Sequence, residues 1–185
     1  MHWMIPAEAL WLILPAYIAN SSAVIIGGGT PIDFGKTWHG KRILGDGKTW
    51  RGLLGGTAAG MATGCLINIV SPSTYGKYPV SLFIIFSLSW GALLGDLAFS
   101  LIKRQRGMKR GEKWIPFDQL DFIMGAFVFT YCISIIIENI GGSLQNWFAS
   151  SFSVWHIIFL IIFTPFIHYI ANVIGHSIKL KRVPW

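Results

Sequence analysis

Five apolar runs, at 5–26, 53–70, 80–102, 122–140 and 154–178, constrain this chain more than any other feature. Each is close to the ~20 residues that carry a helix across the hydrocarbon core. Lipid offers no partner for a free backbone N–H or C=O, so a chain crossing it must bond internally as helices or a closed barrel. The runs mostly lack the polar residue every few positions that marks a soluble amphipathic helix. The expected fold class is therefore an all-α integral membrane protein with five transmembrane helices, a single membrane domain over residues 1–185 and no soluble domain. The first run is not a signal peptide on this reading, because no Lys or Arg precedes it and it is too long for an h-region. Charged residues make up 12% of the chain, about half the share in a soluble domain. Cys65 and Cys132 fall inside apolar runs and read as small buried hydrophobes. Neither a disulfide nor a metal cluster is expected of them.

The formal charge is +7, and its distribution sets an orientation. The connection 27–52 carries Lys36, Lys41, Arg42, Lys48 and Arg51. The connection 103–121 carries Lys103, Arg104, Arg106, Lys109, Arg110 and Lys113. The tail carries Lys179, Lys181 and Arg182. The other two connections hold only Lys77, so alternate connections hold 14 of the 15 basic residues. By the positive-inside rule the N-terminus is outside, and both basic loops and the C-terminus are cytoplasmic. Five spans give that parity. The location expected is the cell membrane, multi-pass, with any chemistry at the cytoplasmic helix ends. Basic residues there suit anionic partners at the bilayer surface; nucleic acid is not expected.

Acidic residues are costly in spans, and three stand at that end. Asp96 lies late in the third run, with Ser100 and Lys103 at i+4 and i+7 on the same helical face. It can pair with Lys103 or reach water, but an intramembrane acid is a functional-site hypothesis by default. Asp118 and Asp121, three residues apart, share a face if the start of the fourth span is helical. A helix cap explains one of them. Two on one face, with a third on the preceding helix, suit a hard cation such as Mg²⁺, which takes carboxylate oxygens and completes its shell with water and phosphate. Glu8 and Glu138 sit near the outer span ends and read as structural. Glu112 lies among bases and reads as solvated. In the last run His168, Asn172 and His176 are spaced by four, beyond a Pro165 that could bend the helix; they serve either as interhelical glue or as the lining of a polar cavity.

The first basic loop contains one tetrapeptide twice: Gly-Lys-Thr-Trp at 35–38 and at 47–50. It is not a Walker loop, because the glycine required five residues before Gly-Lys is Thr30 in one copy and Arg42 in the other. The loop's many glycines let backbone N–H groups approach an anion. Lys and Arg neutralise phosphate, and Thr37 and Thr49 add hydroxyls. Trp38 and Trp50 offer stacking faces or interfacial anchors.

The run Gly95-Asp96-Leu97, with Ser100, Lys103, Arg104 and Lys109, followed by the Asp-x-x-Asp of Asp118 and Asp121, resembles the signature of the CDP-lipid synthases. These are membrane cytidylyltransferases that join CTP to a lipid phosphate. The first-loop motif and the five-span size are similar to the archaeal branch, the CDP-archaeol synthases. Arg110 stands where the longer bacterial and eukaryotic relatives have an acid, Trp114-Ile115-Pro116-Phe117 replaces their His-Gly-Gly run, and Gln119 replaces their Arg. The resemblance implies transfer of CMP from CTP to an isoprenoid glycerol phosphate, giving unsaturated CDP-archaeol and pyrophosphate. It implies Asp96, Asp118 and Asp121 as Mg²⁺ ligands (Mn²⁺ substituting), with Lys103 catalytic beside them. Lys36, Thr37, His39, Lys48, Thr49, Arg51, Ser100, Arg104 and Lys109 would contact nucleotide or lipid phosphate. The competing readings are a lipid transporter or flippase, another phospholipid-binding membrane protein, and a CDP-diacylglycerol synthase.

Overall fold

The computed structural model describes residues 4–109, 112–141 and 145–177, apart from the side chains at 168, 171, 172 and 175. Arg110, the basic tail residues and the side chains of His168 and Asn172 lie outside the described residues. The elements are α1 (Ile5–Ile26), β1 (Thr37–Trp38), β2 (Lys41–Arg42), α2 (Trp50–Val70), α3 (Val80–Gln105), α4 (Phe117–Gly141), α5 (Trp147–Ser151) and α6 (Val154–Ser177). Helices α1 to α4 are each long and apolar enough to cross a membrane, and α6 has a shorter apolar stretch, Val154–Ile167.

Small residues let the helices meet backbone to backbone, the packing favoured where lipid removes most of the hydrophobic drive between helices. On α2, glycines recur every four residues. A Cβ added at Gly56 would lie 2.6 Å from the Ala19 carbonyl oxygen, and one at Gly60 would lie 2.6 Å from that of Pro15, so α1 seats directly on this row. The second seam joins α3 to α4. A Cβ at Gly95 would lie 2.2 Å from the Asp121 carbonyl oxygen, and one at Gly125 would lie 2.3 Å from that of Gly91. Any side chain there would drive the helices apart, and with them Asp96 and Asp121.

Ile13, Ile84, Leu88 and Phe122 are buried between these helices. At the end away from the basic loops, the Tyr75 hydroxyl donates to the carbonyls of Trp11 and Leu12, and the Trp147 indole donates to Thr74. Glu8 of α1 meets the His156 ring of α6 at 3.4 Å. Glu138 accepts from the Asn146 amide. Glu8 and Glu138 are thus both tied into the scaffold.

The first basic loop is folded, and here the all-α expectation meets a small exception. Strands β1 and β2 pair antiparallel, Thr37 opposite Arg42 and Trp38 opposite Lys41. The two-residue turn between them, His39-Gly40, has φ of +50° and +74°, the left-handed pair that matches strand twist in a tight hairpin. Asp33 staples the loop. Its carboxylate accepts from the backbone N–H groups of Gly35, Leu44 and Gly45 and from the Arg42 guanidinium. Burial alone would raise its pKa, but those hydrogen bonds outweigh burial and hold Asp33 well below the usual carboxylate range. Arg42 also pairs with Asp46 at 2.8 Å. The hairpin docks on the C-terminal end of α3, where Lys41 Nζ donates to the Gln105 carbonyl at 2.6 Å.

Candidate active site

The acids found in the sequence meet where α3 ends and α4 begins. Asp118 and Asp121 both lie in the opening turns of α4, which starts at Phe117, so the helical turn they need to share a face is present. Because α3 and α4 touch at Gly95, Asp96 stands beside Asp121. The buried Asp121 carboxylate is in electrostatic range of Asp96, Lys48 and Asp118.

Two lysines cross between elements to reach these acids. Lys48, at the end of the first loop, contacts both Asp96 oxygens at 2.5 and 2.6 Å. Lys103, in the last turn of α3, contacts both Asp118 oxygens at 2.7 and 2.8 Å and also donates to the Glu112 carbonyl. The local pairing of Asp96 with Lys103 therefore does not form; Asp96 and Asp118 each take a cation from another element. Asp121 has no ion pair among the described residues. The capping explanation does not describe these carboxylates. Asp118 accepts from the N–H of Trp114, four residues before it, and Asp121 from the N–H of Phe122, the next residue.

Around this centre the other candidates take different positions. Arg104 donates to the Met108 carbonyl through Nη1, while its buried Nε has no hydrogen-bond partner among the described residues. Gly45 of the first loop approaches that nitrogen. Ser100 is half-buried one turn beyond Asp96. Thr49 is buried and caps α2, its hydroxyl oxygen accepting from the N–H groups of Gly28 and Gly52. Lys36, Thr37, His39, Arg51 and Lys109 are exposed. Lys36 precedes β1, Thr37 lies within it and His39 is at the hairpin tip. The second loop folds back on α3, with the Arg106 guanidinium 4.6 Å from the Trp114 ring centre and Trp114 against Phe99 and Phe117.

A cleft of about 290 Å³ opens beside the Lys48–Asp96 pair. Asn20, Val24, Leu93 and Leu97 form its walls, and Asp46, Gly47 and Thr49 lie at its loop end. Asn20 and the cleft are not among the features that the sequence pattern singles out. The Asn20-Ser21-Ser22 run late in an apolar span was the signal available.

A divalent cation has a partial fit here. Among the described residues no three His, Cys, Asp or Glu side chains converge as a ready cage. The donor chemistry nevertheless suits Mg²⁺, which needs only one or two carboxylates when phosphates supply the rest. Asp96 and Asp121 are adjacent, and beside them Lys48 and Lys103 are paired with acids while the Arg104 Nε has no partner among the described residues.

Comparison with known proteins adds an independent line. The profile of the CarS-like CDP-archaeol synthases matches residues 1–185. The chain is 44% identical to the CDP-archaeol synthase of Pyrococcus abyssi over 179 residues, 96% of this chain and 97% of that one. It is 40% identical to that of Methanosarcina mazei over 185 aligned residues, 94% of this chain and 100% of that one. A solved structure of an intramembrane enzyme for archaeal membrane lipid biosynthesis superposes with a TM-score of 0.69 at 34% identity, covering 90% of this chain and 94% of the other.

Proposed function

The chain belongs to the CDP-archaeol synthase family and is a CTP-dependent membrane cytidylyltransferase of lipid biosynthesis; from that premise we propose that the cluster of Asp96, Asp118, Asp121, Lys48 and Lys103 is where CTP and an isoprenoid glycerol phosphate react. The observation that carries this reading is the two lysine–acid pairs, Lys48 with Asp96 and Lys103 with Asp118, that stand with the buried Asp121 at one end of the bundle.

The reaction needs no protein nucleophile. An oxygen of the lipid phosphate monoester attacks the α-phosphorus of CTP, the bond to the β-phosphate oxygen breaks, and pyrophosphate leaves with that electron pair. The difficulty is bringing two polyanions together and stabilising charge on the leaving group, which positioning and electrostatics supply. Asp96 and Asp121, with Asp118 adjacent, would hold a Mg²⁺ ion, which would supply Lewis-acid stabilisation of phosphate charge. Lys48 and Lys103 neutralise the acids when no phosphate is present, and each has a flexible stem long enough to turn its ammonium to an incoming phosphate. Arg104 offers its free Nε–H to the same anions. Exposed Lys36, Arg51 and Lys109, with Thr37 and His39, form an outer basic rim that raises the local concentration of nucleotide. Thr49 contributes by fixing the start of α2 behind Lys48.

We place five spans in the membrane, with α6 as the fifth, the N-terminus outside and the two basic loops cytoplasmic, because eleven of the fifteen basic residues lie in those loops. A transporter would distribute polar groups through both leaflets; the charged cluster here lies at one end.

The test is product formation by detergent-purified protein given CTP, Mg²⁺ and a geranylgeranyl ether-lipid phosphate, read by mass spectrometry. The expected result is CDP-lipid from CTP, none with EDTA, and a rate lower by at least ~100-fold in Asp96→Asn and Asp118→Asn at unchanged thermal stability. Near-wild-type rates in both variants remove the assignment of the reacting centre.

A further inference from the structure

We propose that the cleft between the ends of α1 and α3 is the lateral entry and seat of the lipid substrate's headgroup, with Asn20 as its polar contact. The inference rests on the reacting centre proposed above and adds where one of the two substrates approaches it.

Three observations carry it. The cleft joins two chemistries: its walls are Val24, Leu93 and Leu97, and its side toward the loop ends at Lys48 and Asp96. That is the order of groups along a glycerol phosphate lipid, apolar chains and then phosphate. Val24 is 56% exposed near the end of a helix long and apolar enough to span the bilayer, so the cleft has an open apolar side. Nucleotide, by contrast, reaches this end of the bundle from water.

Asn20 supplies the third observation. It stands one helical turn before Val24, at the deeper end of the cleft. Its amide makes no hydrogen bond with any described residue. The other polar side chains lining the cleft are engaged: Lys48 with Asp96, Asp46 with Arg42, and Thr49 as a helix cap. A half-buried amide that lines the cleft has its N–H free for an acceptor arriving there. The glycerol ether and phosphate ester oxygens of the lipid are acceptors that pass this depth, while the chains remain in the bilayer.

The experiment separates the two substrates. Asn20→Leu removes the donor and keeps the size. Val24→Trp fills the cleft from its open apolar side. In Asn20→Leu the KM for the ether-lipid phosphate should rise about 5- to 10-fold, the loss of one hydrogen bond, while KM for CTP and the CTP-over-UTP ratio stay at wild-type values. Val24→Trp should weaken lipid use further. The thermal shift given by CTP with Mg²⁺ in the absence of lipid should be unchanged in both variants, which shows that they are folded and bind nucleotide. A raised CTP KM, or a lost preference over UTP, in Asn20→Leu assigns the cleft to the nucleotide and overturns the proposal. Wild-type constants for both substrates in both variants overturn it as well. Failure of the reacting centre itself would appear separately, as full activity in Asp96→Asn.

Discussion

The two copies of Gly-Lys-Thr-Trp share every side chain and almost nothing else. In the first, Lys36, Thr37 and Trp38 are exposed on and beside a two-stranded hairpin. In the second, Lys48 reaches Asp96, Thr49 is buried as the cap of α2, and Trp50 begins that helix. The difference comes from the residues just C-terminal to each copy. After the first comes His39-Gly40, which turns the chain back on itself. After the second comes the helix-forming run from Arg51, anchored by glycines that bring α2 against α1. A short motif therefore has no role of its own; its neighbours decide whether its lysine faces water or an acid.

The sharpest way to break this comparison is to neutralise one lysine at a time. Lys48→Gln should lower kcat/KM for CDP-lipid formation by at least ~100-fold, since it removes a positioned charge from a preorganised site. Lys36→Gln should cost less than ~10-fold and act mainly through KM for CTP, with an effect that fades as salt rises. Equal losses in the two variants would mean that the hairpin closes onto the reactants and that its exposed position in the free protein misleads.

The next effect concerns the staple that holds the first copy in place. Asp33→Ala leaves three backbone donors and Arg42 without their shared acceptor, and should cost about 1–3 kcal/mol of loop stability, read as faster proteolysis within 34–47. The pH dependence has a definite sign. Asp33 titrates below its unfolded value near 3.9, so its contribution is complete above about pH 4 and is lost as pH falls through the depressed value. The wild-type loop should then resist proteolysis at about pH 4.5 as well as at neutral pH, while Asp33→Ala is susceptible at both. Loop cleavage in the wild type rising between neutral pH and about pH 4.5 would remove Asp33 as the staple.

The smallest difference lies in the threonines. Thr49→Ala deletes a buried cap and should lower stability by about 1 kcal/mol, whereas Thr37→Ala, at an exposed position, should stay within ~0.5 kcal/mol. Melting curves of the two variants side by side decide it; a larger loss for Thr37 would reverse the assignment of roles within the repeat.

The long helices were legible because a bilayer imposes a length and an apolar composition on whatever crosses it, and the runs at 5–26 and 80–102 carry both. The acids were legible for the same reason: Asp96 has no cheap place in such a helix. Their partners were not. Lys48 and Asp96 are 48 residues apart, and their meeting depends on α2 seating on α1 and on where the hairpin docks. The hairpin itself was hidden because its turn uses His39 before Gly40, where Asn or Asp is the usual signal. The glycine seam that sets Asp96 beside Asp121 was in plain view as Gly91-x-x-x-Gly95, yet its partner Gly125 lies on another helix, and only the fold shows that they meet.

On the proposed reading, Asp96 and Asp121, brought together by that seam, would hold a divalent ion together with the nucleotide. Electron paramagnetic resonance of Mn²⁺ with detergent-purified protein and a CTP analogue uncleavable between the α- and β-phosphates tests it without turnover. The wild-type protein should immobilise Mn²⁺ only when the analogue is present, and Asp121→Asn should weaken that binding by at least about 10-fold. Identical nucleotide-dependent Mn²⁺ binding in the wild type and in both Asp121→Asn and Asp96→Asn would contradict the account.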